Sequence, residues 1–245
     1  GELTKKHLDF EKYNKIANAF ISRSTWKEGD IFIQKDLANT LKLVQQKGRK
    51  GFYEGKTAEL IVNEMKRGNG IITKKDLKQY HSVWRTPVSG NYKEYKVISM
   101  PPPSSGGIAL VSLFQSIDKY PLKKWGFQAD STIQVMVEAE RRVYADRAEH
   151  LGDPDFFNVP QKQLLDKSYN VNRMNSFSFD KATPSLSIKA GEIIGKESME
   201  TTHYVIVDKE GSTVSVTTTL NNSYGSLVVV GGAGFLLNDE MDDFS

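Results

Sequence analysis

The chain has 245 residues, 38% of them hydrophobic, which suffices for one substantial globular domain or two small ones. Its 33 basic and 30 acidic residues leave a formal charge of +3, and that near-balance argues against nucleic acid or an anionic membrane as a partner. With no cysteine there is no disulfide framework, thiol catalysis or thiolate metal site, and no apolar run approaches the ~20 residues of a membrane span.

In chain order, apolar spacing predicts a helix over Lys6–Ile21 with Leu8, Tyr13, Ile16, Ala17 and Phe20 as its buried stripe. A second helix runs from about Asp36 to Lys47, with Leu37, Leu41 and Val44 on one face and Gly48 as its stop. A third spans roughly Thr57–Arg67 and ends at Gly68-Asn-Gly70, after which Thr73-Lys-Lys-Asp76 reads as a capped helix start. From Val88 to Met100 the pattern turns to strand, with a turn near Ser89-Gly90.

Pro101-Pro-Pro-Ser-Ser-Gly-Gly107 cannot be a helix interior or a central strand. Lying between a strand and the apolar helix Ile108–Ile117, it is predicted to be an ordered loop. Ser131–Glu149 is the longest helix candidate, with Ile133, Met136, Val137, Val143 and Tyr144 as its buried side. Arg141, Arg142, Asp146, Arg147 and Glu149 are read as ion pairs rather than as catalytic groups, and His150 as a packing or capping residue. The turn Gly152-Asp-Pro-Asp155 lacks the carboxylate spacing of a calcium loop, so no metal is expected there. From Leu165 to Ser198 the chain becomes polar, which predicts an exposed, poorly packed connector.

The stretch from Thr201 to Asn221 reads as a hairpin. Thr202–Val207 and Thr213–Thr219 are rich in β-branched residues. Between them, Asp208-Lys-Glu-Gly211 is the signature of a three-residue loop closed by a left-handed glycine. That loop pairs Asp208 with Ser212 and therefore sets Thr201 opposite Thr219. A threonine pair of this kind is ordinarily a sheet stabiliser worth roughly 0.2–1 kcal/mol. It becomes a nucleophilic site only if the chain is cut before the threonine, because the new α-amine, with a pKa of roughly 7.7–8, can then act as the base for its own hydroxyl.

Four runs carry a family resemblance: Thr201-Thr-His-Tyr-Val-Ile-Val-Asp208, Val214-Ser-Val-Thr-Thr-Thr-Leu-Asn221, Tyr224-Gly-Ser226 and Gly234–Ser245. Together they resemble the start of the small subunit of γ-glutamyltranspeptidases. Met100–Gly107, Tyr144-Ala-Asp-Arg147 and Leu151–Phe156 resemble the large subunit of the same family. The resemblance implies an α+β fold, the αββα sandwich of the N-terminal nucleophile hydrolases, of which this chain is a part. It divides the chain into residues 1–200, ending in the connector from about 165, and residues 201–245, headed by the nucleophile.

By the same resemblance Glu200–Thr201 is the bond cut, Thr201 the nucleophile and Thr219 the residue that orients it. Asn221, Glu240 and Asp243 hold the substrate α-ammonium, a task that suits acceptor and anionic groups. The implied reaction transfers γ-glutamyl groups from glutathione, glutamine and similar amides to water or an amino acid. The implied partners are the large and small subunits of one precursor, with no metal or organic cofactor. Export to the periplasm or cell surface also rests on the resemblance, since no signal peptide is visible.

Alternatives on the same scaffold are a poly-γ-glutamate depolymerase, a glutaryl- or cephalosporin-type acylase, and an uncleaved module with a binding role. Two positions depart from the family pattern: Val205 where serine is usual, and Asp239 where a second asparagine is common. The family's carboxylate-binding arginine, serine pair and oxyanion-hole glycines find no match between Gly1 and Ser245. The chain is therefore expected to be a fragment, inactive or nearly so by itself, since losing even one oxyanion donor costs about 10²–10³ in rate.

Overall fold

The computed structural model describes residues 2–189 and 201–244. Apart from one-turn helices at Glu2–Lys5 and Lys50–Tyr53, four helices come first: α1 (His7–Tyr13), α2 (Lys35–Lys47), α3 (Gly55–Gly68) and α4 (Lys74–Gln79). Strands β1 (Val88–Tyr92) and β2 (Tyr95–Ser99) follow, then α5 (Gly106–Ile117), α6 (Asp130–His150) and α7 (Lys167–Arg173). Strands β3 (Thr201–Val207) and β4 (Thr213–Thr219) come last, with one-turn helices between several of these elements. The class is α+β, and two antiparallel two-stranded sheets are the part of the expected sandwich that the described residues contain. The chain divides into two compact units, Gly1–Ser82 with Lys196–Ser245, and Val83–Gly195.

The first unit is built from both ends of the chain. Ala58 and Ile61 of α3 and Leu77 of α4 bury against Val230 and Ala233. Phe10 of α1 and Phe20 bury against Val229, with Tyr224 packed on them. The single helix expected over Lys6–Ile21 is broken at Asn14. Its amide nitrogen donates to the carbonyl of Phe10 (2.7 Å) and to that of Leu227 (2.8 Å), while its backbone is extended. Asn18 then caps a separate turn over Ala19–Ile21. Long-range pairing of a polar residue thus overrides the apolar stripe.

Helix α2 follows its expected bounds, and Gly48 donates its N–H to the Val44 carbonyl at the stop. Its buried residue, however, is Thr40, and Leu41 is exposed. Helix α4 has the expected capping box, with Thr73 and Asp76 satisfying each other's backbone N–H groups.

In the second unit the turn expected at Ser89-Gly90 lies instead at Lys93-Glu94, between paired Tyr92 and Tyr95. Gly90 serves a close approach: a Cβ there would lie 2.4 Å from Val111 Cγ1 of α5. The proline-rich loop is ordered as expected, and its Ser105 hydroxyl accepts from Arg147 Nε of α6 at 2.8 Å.

The buried side of α6 keeps Val143 of the expected stripe, with Met136 partly buried, but otherwise differs from it. Val135, Glu138, Ala139, Arg142, Val143, Ala145 and Asp146 are buried, while Ile133, Val137 and Tyr144 are exposed. The reason is an ion cluster that apolar periodicity cannot report. Arg142, 1% exposed, donates to the Glu138 carboxylate and to the hydroxyls of Ser176 (2.8 Å) and Thr183 (3.1 Å). Glu138 also accepts from Arg141 and from the Thr183 N–H, both at 2.9 Å.

The same cluster corrects the connector. Residues 165–177 are packed rather than loose: Asn170 and Met174 are buried, and Asn170 donates to Gln115 and to the Leu164 carbonyl, whereas 179–189 are exposed apart from half-buried Thr183 and Ile188, as expected. Arg173 binds Asp146 and the Lys189 carbonyl, each at 3.0 Å. The rest of the expected connector, 190–200, lies outside the described residues.

The Glu138 carboxyl is held below its usual range. Burial pushes it up, but the hydrogen bonds from Arg142 and Thr183 outweigh that. A depressed carboxyl contributes stability above its unfolded pKa, about 4.3, and loses it as pH falls through the folded value. Glu138→Ala, which strands a buried guanidinium, should cost about 3–5 kcal/mol in chemical denaturation at neutral pH. The stability gap between the parent and Glu138→Gln should close as pH is lowered below that range.

Candidate active site

The site is built on the β3–β4 hairpin. Asp208 donates its N–H to the Ser212 carbonyl at 3.0 Å, and Gly211 donates back to Asp208 at 3.1 Å. The Asp208 carboxylate accepts from the N–H groups of Glu210 (3.0 Å) and Ser212 (2.8 Å). Gly211 sits at φ +85°, the left-handed conformation that this loop requires. Pairing then runs from Val207 with Thr213 down to Thr201 with Thr219, the register that the turn residues imply.

Along the hairpin His203 reaches two hydroxyls of the opposite strand, with Nδ1 2.8 Å from Thr217 Oγ1 and Nε2 3.3 Å from Ser215 Oγ. At the open end, the Thr219 hydroxyl accepts the N–H of Asn221 at 2.9 Å. The chain turns there with Asn221 at φ +75° and 3% exposed. An open depression of about 440 Å³ borders this end, lined by Thr202, Thr218, Thr219, Asn222, Ser223 and Tyr224 among others. Among the described residues its lining offers hydroxyls and amides without formal charge.

Asp239 joins this turn to the 234–244 stretch. Its N–H donates to the Leu220 carbonyl at 3.1 Å. Its carboxylate accepts both the backbone N–H (3.1 Å) and the side-chain amide (2.7 Å) of Asn222. Its carbonyl accepts from Asn221 Nδ2 at 3.2 Å. Asn221 is therefore hydrogen-bonded to the residue immediately before Glu240, which is partly exposed and opens a short helical turn over Glu240–Phe244.

Of the residues singled out in the sequence, Thr201 and Thr219 are brought opposite each other as backbone partners. Asn221 is linked to the Glu240 turn through Asp239. Asp243 falls within the same turn, and Glu200 lies outside the described residues. The clamp between Asp239 and Asn222 has no local signal in the sequence, where Asp239 is only a departure from the family pattern. Among the described residues no group of three or more histidine, aspartate or glutamate side chains could hold a metal, and no helix is long and apolar enough to cross a membrane.

Solved structures share this fold. Over all of this chain and 42% of the other, it superposes on a cephalosporin acylase from Bacillus halodurans with a TM-score of 0.76 at 20% identity. Over 77% of this chain and 54% of the other, it superposes on the γ-glutamyltranspeptidase of Helicobacter pylori with a TM-score of 0.71 at 41% identity. The class is that of the N-terminal nucleophile hydrolase fold. The family model described as γ-glutamyltranspeptidase matches residues 2–245. A glutathione hydrolase proenzyme from Escherichia coli K12 is 47% identical over 219 residues, 89% of this chain and 38% of that protein. The chain belongs to the γ-glutamyltranspeptidase family, and it spans about 40–50% of the length of these relatives.

Two glycines separate strain from collision. At Gly211 an added Cβ meets nothing within 4 Å, whereas at Gly234, φ +79°, it would lie 2.4 Å from the Leu37 N atom of α2. Gly211→Ala should therefore cost only the left-handed penalty, about 1–2 kcal/mol. Gly234→Ala adds overlap with backbone and should cost more than about 3 kcal/mol. Denaturant midpoints of the two variants check the ranking.

Proposed function

We propose that the complete protein to which this chain belongs cuts itself before Thr201 and then transfers γ-glutamyl groups through an acyl-enzyme on that threonine. Residues 1–200 would belong to the large subunit and 201–245 to the small one. The observation that carries the reading is the Thr201–Thr219 pairing at the open end of the hairpin, next to a turn that holds Asn221. A threonine hydroxyl is a weak nucleophile, and cleavage would give Thr201 an α-amine that takes its proton. Thr219 orients the nucleophile, and attack on the γ-amide carbon expels the amine of the donor. Water or an amino-acid amine then attacks the ester and frees Thr201.

Asn221, Glu240 and Asp243 take the substrate α-ammonium. An acceptor and two carboxylates suit a cation, and the tie between Asn221 and Asp239 supports their acting as one group. Glutathione is the preferred donor class, since the relative at 47% identity is named a glutathione hydrolase proenzyme. No metal or organic cofactor takes part in this scheme. Export to the periplasm or cell surface belongs to the same proposal.

Denaturing mass spectrometry of the full-length protein should give two chains, the second beginning at Thr201, and Thr201→Ala should leave a single inactive chain. Thr219→Val, which removes one neutral hydrogen bond worth about 0.5–1.5 kcal/mol, should slow turnover about tenfold. A full-length parent that stays uncleaved and inactive on γ-glutamyl amides would refute the reading.

A further inference from the structure

Three buried polar side chains from the first 82 residues grip the backbone of one loop near the end of the chain. Asn14 accepts the N–H of Val229 at 2.8 Å and donates to the Leu227 carbonyl at 2.8 Å. The Thr40 hydroxyl donates to the Ala233 carbonyl at 2.8 Å. A Glu64 carboxylate oxygen accepts the N–H of Gly231 at 2.9 Å. Asn14, Thr40 and Glu64 are each 5% exposed, and Glu64 is paired with Arg67 one turn along α3. The proposed catalysis uses none of the three.

The loop that they hold is a tight turn. Gly234 donates to the Val230 carbonyl and Val230 to that of Phe235, both at 2.9 Å. The outgoing arm pairs back through Leu237, whose N–H reaches the Val228 carbonyl at 2.9 Å. Two residues on, Asp239 bonds Leu220 and clamps Asn222, and Glu240 follows. The gripped loop is thus one short, hydrogen-bonded segment away from the residues proposed to bind the donor. Gly234 meets the start of α2 at contact distance, so the turn cannot shift toward that helix.

We propose that Glu64, with Thr40 and Asn14, is a positioning set for donor binding: it fixes the 227–237 loop and, through Leu237 and Asp239, the placement of Glu240 and Asn221. This rests on the reading of those two residues as donor ligands. Loss of a grip should loosen ground-state binding, raising KM, and leave the Thr201 chemistry, on the other side of the Asn221 turn, little changed. A carboxylate is suited to the Gly231 N–H because a charged acceptor makes the stronger bond. Glutamine keeps an acceptor oxygen there, and alanine does not.

The test uses the full-length protein with a γ-glutamyl anilide as donor, comparing the parent with Glu64→Ala, Glu64→Gln and the near-isosteric Thr40→Val. Glu64→Ala should raise KM about tenfold or more with kcat within about threefold, Glu64→Gln should restore most of the KM, and Thr40→Val should raise it several-fold. Hydrogen exchange at the Leu237 and Asp239 amides, which needs no turnover, should quicken in Glu64→Ala or, if that variant does not fold, in Thr40→Val. If the parent turns over the donor and the folded variants keep its KM, the positioning role is wrong. A shift in kcat with KM unmoved also overturns it, as does unchanged exchange at both amides. An inactive parent refutes the donor reading instead, and the exchange measurement then decides whether the grips fix the loop.

Discussion

The loop from Leu227 to Ala233 has backbone donors and acceptors that no helix or extended sheet takes up, and a buried donor or acceptor left alone costs about 1–3 kcal/mol. Asn14, Thr40 and Glu64 supply the missing partners. Much of the first unit depends on this constraint. The grips span 167 to 215 residues of sequence, and around them the apolar contacts of Val229, Val230 and Ala233 close two of its clusters. A break in the chain between 200 and 201 would sever none of these bonds. The arrangement is therefore compatible with a protein whose site forms only after its backbone is cut.

The hairpin depends on that anchored neighbour. An isolated two-stranded ribbon is marginally stable in water, and Tyr204, Val205, Ile206, Val207 and Val214 are all about half exposed. Apolar residues on successive positions, hence on both faces, are the composition of strands covered on two sides. At the open end the chain turns at Asn221, whose N–H goes to the Thr219 hydroxyl and whose side-chain amide goes to the Asp239 carbonyl.

How much of this could be read in the sequence follows the range of the interactions. The Asp208–Gly211 loop, the Thr73 capping box and the Gly48 stop are local, so residue identity sets them, and the Thr201–Thr219 register follows from the loop by counting. Where a distant polar partner decides, the reading fails. Asn14 ends a helix that the apolar stripe would continue, because the backbone it binds is over two hundred residues away. The buried face of α6 holds the expected Val143 but also Glu138, Arg142 and Asp146, whose burial apolarity does not report. The first part of the polar stretch after Leu165 is packed for the same reason, since Arg173, Ser176 and Thr183 are partners of that face.

Asp239 shows how a departure from a family pattern can be a local solution. Its carboxylate is acceptor-only, so it takes both the N–H and the side-chain amide of Asn222. An asparagine in the same place has one acceptor oxygen and one donor nitrogen, and in a fixed orientation could keep only one of the two bonds. Hydrogen bonding uses the lone pairs and leaves the charge. A formal negative charge therefore stays beside Glu240, and at an effective dielectric of about 20 it is felt with an energy that falls only as the inverse of distance. Asp239 is thus a brace for the turn whose two carboxylate oxygens are both engaged by Asn222.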